Sequence, residues 1–250
     1  DRIEALAGRI IDYVQWREAG SATTAAPRAV GADWAFVEGA PASAWSPDRD
    51  LLGIVLRGDR PAPSAAWLSW IRTLCADHGL SPVVVVQVRQ DDGRARELAD
   101  ALDATVVEWP TEATHAEQET RVREVYGRCR AVVGDRLHGL VIAATEGAVP
   151  LGWVESSRGK IRAHFDVARL PDAGRHEGRP AADLPRVTAA ELTRQANLLA
   201  EAVSRVRSEL RTLQDDLAAL GGSGAPHELA RLRRRQRPRT RSRALRNAAE

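Results

Sequence analysis

Three polar side chains stand where a short apolar run of the sequence, residues 131–134, meets a predicted helix: Asp135, Arg136 and His138. An arginine carries a permanently charged fork that matches carboxylate or phosphate, and a histidine exchanges a proton near neutral pH. In open α/β sheets, ligands bind beyond the carboxyl ends of the strands, where helix N-termini favour anions. The pattern therefore predicts a site for an anionic substrate, with Arg136 as anion ligand and His138 as acid/base.

The same residues also fit a structural arrangement. Asp135 would then cap the helix, Arg136 would pair with a nearby acid, and His138 would make a structural hydrogen bond. Leu137, between the two candidates, is expected to set the turn and pack under the site. Spacing alone leaves both interpretations open.

Short apolar runs alternate with helix-period stretches from Leu51 onward, which predicts βα units around a parallel sheet. The predicted strands are 51–56, 82–88, 105–109, 131–134 and 149–154, and the predicted helices between them are 64–78, 91–102, 117–129 and 136–146. Arg57 follows the first of these strands and is a further candidate for substrate binding. We expect an α/β fold with a Rossmann-like parallel sheet.

The flanking sequence predicts four further parts. Residues 1–49 read as the remnant of a preceding α/β domain, with a helical opening to residue 12, an extended stretch at 13–16 and then a loop and helix around 21–30. The Rossmann-like domain spans 50–172, and 173–187 is rich in Pro, Gly and charge and reads as a linker. A long helix at 188–220 keeps apolar residues at helical spacing, and 221–250 reads as a basic disordered tail.

Composition excludes several classes of protein. No stretch approaches the roughly 18 apolar residues of a membrane span, and the amino terminus lacks the layout of a secretory signal, so we expect a cytoplasmic protein. Cys75 and Cys129 have no ligand partners nearby and are expected to be buried thiols; we expect no metal and no cofactor. The formal net charge is only +2, although nine arginines lie between Arg231 and Arg246. We therefore expect no specific nucleic-acid binding. The tail fits either a solvated, disordered extension or peripheral contact with the anionic inner face of the membrane.

Three pieces of the sequence share an order with a known family. These are Val14-Gln-Trp-Arg-Glu-Ala-Gly-Ser21, the stretch Gly134-Asp-Arg-Leu-His-Gly139, and Gly147-Ala-Val-Pro150 followed by Lys160, the one lysine of the chain. Together they resemble the carboxyl-terminal portion of the polysaccharide pyruvyl transferases. The resemblance covers roughly residues 13–170 and implies the second half of a two-domain fold of the glycosyltransferase-B type. The glycine-rich opening strand of the family's first domain has no counterpart here.

The resemblance implies a reaction and roles for particular residues. The donor would be phosphoenolpyruvate, whose pyruvate becomes a ketal on two hydroxyls of a saccharide acceptor. The resemblance allows this acceptor to be lipid-linked. Arg136 and Arg17 would bind the donor's anionic groups, His138 would transfer a proton, and Leu137 and Lys160 would complete the substrate site. Lys160 also fits an ordinary exposed lysine at the start of a helix.

Two other functions stay open. A glycosyltransferase of the same architecture would use the arginines and the lysine to hold the diphosphate of a nucleotide sugar. A non-catalytic scaffold would use the long helix for self-association and the arginine-rich tail for anionic surfaces.

Overall fold

A computed structural model describes residues 14–17, 28–155 and 159–220 of the chain. The described residues fall into two compact units. In the first, strand β1 (Val14–Trp16) pairs in parallel with β2 (Arg28–Val30), and the Gly31 amide donates a hydrogen bond to the Trp16 carbonyl at 2.9 Å. The extended stretch predicted at 13–16 is confirmed at 14–16. The helix predicted at 21–30 is wrong at 28–30, because these residues follow Pro27 and pair with β1; residues 18–27 lie outside the described part.

The second unit, Ala32–Leu210, contains a five-stranded parallel sheet. Its strands are β3 (Leu51–Val55), β4 (Ser81–Val85), β5 (Thr105–Val107), β6 (Cys129–Gly134) and β7 (Val149–Gly152). They are ordered β5-β4-β3-β6-β7, and every neighbouring pair is parallel. The predicted α/β class and Rossmann-like sheet are confirmed. The strand order reverses between β3 and β6, the position at which such sheets bind ligands.

Helices connect the strands and cover both faces of the sheet. They are α1 (Ala65–His78), α2 (Asp92–Leu102), α3 (His115–Tyr126), α4 (Leu137–Thr145) and α5 (Lys160–Val167). One core cluster contains Trp67 and Trp70 of α1 with Leu98 of α2. The other contains Tyr126 of α3 and Leu140 of α4. The sheet is therefore doubly wound.

Local sequence explains most helix ends. The Ser64 hydroxyl accepts a hydrogen bond from the Trp67 amide, and Thr114 forms a capping box with Glu117. The helix predicted at 117–129 instead ends at Tyr126, since Cys129 opens strand β6 and pairs with Leu51.

The long helix predicted at 188–220 is confirmed as α6 (Ala189–Leu220). The Thr188 hydroxyl accepts a hydrogen bond from the Glu191 amide at 3.2 Å, as expected of an N-cap. Within the second unit, its buried apolar residues include Leu192, Leu199, Val203, Val206 and Leu210.

The segment predicted as a linker contains two short 3-10 helices, Pro171–Gly174 and Ala181–Asp183, and the fully buried His176. The predicted basic tail lies outside the described residues. None of the helices that the structure describes is long and apolar enough to cross a bilayer.

Candidate active site

Asp135 joins the carboxyl ends of the two central strands. Its amide donates to the Val55 carbonyl at 3.2 Å, and its carboxylate accepts from the Arg57 amide at 2.8 Å. The side chain is 6% exposed, and burial raises the pKa of this carboxyl. The N-cap of α4 is Arg136, whose side chain makes no capping hydrogen bond. Asp135 thus serves the junction between β3 and β6, and the open interpretation that it caps the helix is wrong.

Arg136 forms a bidentate ion pair with Asp91, which precedes α2. Its Nε lies 2.5 Å from Oδ2 and its Nη2 lies 2.6 Å from Oδ1. Asp91 is only 2% exposed and also accepts a hydrogen bond from the Gly58 amide at 2.7 Å. Arg136 thus pairs with a nearby acid, as its structural interpretation expects, because the guanidinium nitrogens that a substrate anion would need are bound to Asp91. Its predicted role as anion ligand remains a prediction.

His138 lies in the first turn of α4 with its side chain 52% exposed. Its Nε2 is 3.3 Å from Oδ2 of Asp33, a buried carboxylate whose Oδ1 accepts from the Ala35 amide at 3.0 Å. A fixed carboxylate beside an imidazole orients the ring. The pair is therefore suited to proton transfer. Leu137, which precedes His138 in the chain, is buried in the core.

A cavity of about 110 Å³ opens at the same edge of the sheet, beside the ends of β3 and β7. Three arginines line it: Arg57, and two that the sequence analysis did not single out, Arg60 and Arg94. The remaining lining residues are Leu56, Pro61, Ala62, Pro63, Asp135, Trp153, Val154 and Glu155. The exposed Asp59 bonds to the Arg57 guanidinium, which raises the pKa of Arg57 and lowers that of Asp59 to about 2.

Two further predicted residues, Lys160 and Arg17, have exposed side chains. Lys160 is exposed at the first position of α5 and is not among the residues that line the cavity. Arg17 is exposed and follows β1 in the first unit. Their substrate-binding roles remain predictions.

Metal and thiol chemistry receive no support from the described residues. Within these ranges no three His, Cys, Asp or Glu side chains are grouped so that they could hold a metal ion. Both cysteines are free, and burial raises the pKa of Cys75 to about 11 and that of Cys129 to about 12. These thiols are therefore protonated at neutral pH.

The chain combines a doubly wound parallel sheet with a polar site at its switch point, which defines a Rossmann-like α/β protein. Its sequence matches no protein-family model and no curated protein. Similar solved structures include a mutant of the O-GlcNAc transferase of Thermobaculum terrenum, at 15% identity and a TM-score of 0.40, covering 78% of this chain and 38% of that one. Another is UGT89C1 of Arabidopsis thaliana complexed with UDP, at 13% identity and a TM-score of 0.32, covering 78% of this chain and 46% of that one. The chain spans less than half the length of each, and likenesses this weak assign neither a reaction nor a ligand to it.

Proposed function

We propose that this chain belongs to a transferase that moves pyruvate from phosphoenolpyruvate onto two hydroxyls of a polysaccharide sugar as a ketal. The observation that carries the proposal is the pairing of the exposed His138 with the buried Asp33 at the carboxyl edge of the sheet. It gives the Arg-Leu-His motif, one of the three pieces of sequence that resemble pyruvyl transferases, a group suited to proton transfer.

The proposed reaction balances without a further reactant. A proton adds to the methylene carbon of phosphoenolpyruvate, which leaves an oxocarbenium-like centre at the neighbouring carbon. One sugar hydroxyl bonds to that carbon and loses its proton. The second hydroxyl then displaces phosphate, closes the ketal and loses its own proton. His138 would carry one of these protons, and Asp33 would hold its ring in position.

A transferase that uses a nucleotide sugar is the second candidate. It is favoured by the arginines that follow β3 at the switch point, because in open α/β sheets this is a position where phosphates bind. The two candidates differ in the donor, so the experiment presents both.

The test incubates the 250-residue chain with methyl glycosides of common hexoses and either phosphoenolpyruvate or UDP-glucose. Mass spectrometry detects a carboxyethylidene group on the sugar or a transferred glucose, and phosphate release gives the rate. We expect the ketal, and we expect His138→Gln to lower its rate about a hundredfold to ten-thousandfold, the usual contribution of a positioned acid/base.

His115→Gln is the matched control, because His115 opens α3 and packs its ring edge-on against Trp109, outside the proposed site. Its rate should equal that of the unsubstituted chain. Transfer of glucose alone would favour the second candidate. Absence of any transfer, or full ketal formation by His138→Gln, would contradict the proposed function.

A further inference from the structure

The arginine cavity, lined by Arg57, Arg60 and Arg94, concentrates positive charge at the carboxyl edge of the sheet. Arg57 and Arg60 come from the loop after β3, and Arg94 comes from α2. Two carboxylates, Asp135 and Glu155, also line it. Three arginines and two acidic residues therefore line a space of about 110 Å³.

The two newly identified arginines are held in place without using all their donors. Arg94 donates through Nη2 to the Arg60 carbonyl at 3.0 Å, and its Nη1 lies 3.3 Å from Oε2 of Glu97. The Arg60 Nε lies 3.4 Å from Oδ2 of Asp135. Among the described residues, Nη1 of Arg60 and Nε of Arg94 are buried and find no hydrogen-bond acceptor. Buried charged donors without acceptors are costly, so an anion that supplied oxygen atoms would stabilise this arrangement.

The carboxylates in the lining oppose this positive charge only in part. Asp135 already accepts a hydrogen bond from the Arg57 amide and lies 3.4 Å from the Arg60 Nε, and burial raises the pKa of its carboxyl. Glu155 is exposed at the rim, where water screens its charge. Three arginines against two carboxylates give the lining itself a formal charge of +1, while Asp59 and Glu97 pair with Arg57 and Arg94 from outside the lining.

We infer that the arginine cavity binds the phosphate group of a small phosphorylated ligand. Arginine forks match tetrahedral oxyanions, and a cavity of about 110 Å³ offers room for one such group. That the ligand is the phosphoenolpyruvate donor rests on the proposed function; binding of inorganic phosphate does not.

Isothermal titration of the full chain with inorganic phosphate tests the inference, with phosphoenolpyruvate titrated in parallel. We expect Arg60→Gln and Arg94→Gln each to weaken phosphate binding about tenfold or more, as expected for a lost charge-assisted hydrogen bond. Arg96→Gln is the control, because Arg96 lies on the same helix, is 58% exposed and pairs with Asp92 and Glu108 outside the lining. It should bind phosphate like the unsubstituted chain. Thermal unfolding confirms that each variant is folded, and Arg60→Lys, which keeps the charge, should retain part of the affinity.

The outcomes separate this inference from the proposed function. Phosphate binding that depends on Arg60 and Arg94, in a chain that forms no ketal, would support the arginine cavity and remove pyruvyl transfer. Ketal formation by a chain whose phosphate binding is unchanged in folded Arg60→Gln and Arg94→Gln would overturn the arginine cavity and keep pyruvyl transfer. Absence of phosphate binding by the unsubstituted chain would also overturn the inference.

Discussion

The Asp91 carboxylate accepts three hydrogen bonds at the carboxyl edge of the sheet. It accepts them from the Gly58 amide and from two nitrogens of Arg136, and the residue is 2% exposed. A buried carboxylate without its cation is strongly destabilising, because the desolvation cost of the charge is no longer offset. Arg136 therefore has a structural task whatever it contributes to substrate binding.

Replacing Arg136 by Gln should lower the free energy of unfolding by about 3 kcal/mol or more, because it leaves the buried Asp91 carboxylate without its cation. Chemical denaturation measures this change. The double variant Arg136→Gln/Asp91→Asn should recover part of the loss, since it removes the buried charge as well. A fully stable Arg136→Gln variant would contradict the structural task and restore Arg136 as a dedicated anion ligand.

At this scale, sequence could locate only part of the candidate site. Arg136 and His138 stand out because they are neighbours at a predicted strand end. Their partners do not, since Asp91 lies 45 residues before Arg136 and Asp33 lies 105 residues before His138. Such pairings depend on how strands and helices pack, and no local spacing encodes them.

The central strands β3 and β6 meet closely just below the site. A Cβ atom at position 134 would lie 2.3 Å from the Val55 carbonyl oxygen and 2.6 Å from its Cγ1. The first contact is with backbone, which cannot move away without disturbing the strand pairing that holds Asp135. Glycine at this position thus allows the two strand ends to approach.

Gly134→Ala should therefore lower the free energy of unfolding by at least about 2 kcal/mol through overpacking. Gly93→Ala provides the contrast, because a Cβ there would have no neighbour within 4 Å in the first turn of α2. It should leave stability unchanged or raise it by up to about 1 kcal/mol. Thermal or denaturant unfolding of both variants tests the pair, and equal stabilities would argue against the close approach.

Most elements of the sheet domain followed from periodicity, because continuous apolar runs and helix-period stretches differ clearly in a doubly wound fold. Exact ends did not. The predicted strand 82–88 closes at Val85, where the chain turns toward the short helical turn at Arg89–Asp91 that delivers Asp91 to the site. At 28–30, three residues were too few for a strand pattern to be distinguished from a helical one.

On the scale of the whole molecule, distant segments of the second unit combine to place Asp33. The buried Arg207 of α6 donates to the carbonyls of Phe36 at 3.0 Å and Ala40 at 2.6 Å, and also to that of Glu38. These bonds hold the segment after Asp33 to α6, within the second unit. Phe36 and Arg207 lie 171 residues apart in the chain, so no local pattern of the sequence indicates this contact.

The residues of the proposed acid/base pair and of the arginine cavity all belong to the unit Ala32–Leu210, whereas Arg17 belongs to the other. We therefore expect donor binding to be a property that this chain displays by itself. Binding of the acceptor and the complete reaction remain proposals, since the chain spans less than half the length of the solved structures that it resembles.

Whether this unit binds a pyruvyl donor is tested most directly by an equilibrium competition between phosphoenolpyruvate and UDP-glucose for the 250-residue chain, followed by isothermal titration. We predict that phosphoenolpyruvate binds and that UDP-glucose does not displace it, because phosphoenolpyruvate is the proposed donor and carries the single phosphate that the arginine cavity is inferred to bind. Binding of UDP-glucose without binding of phosphoenolpyruvate, or no binding of either, would contradict the claim that this unit receives a pyruvyl donor.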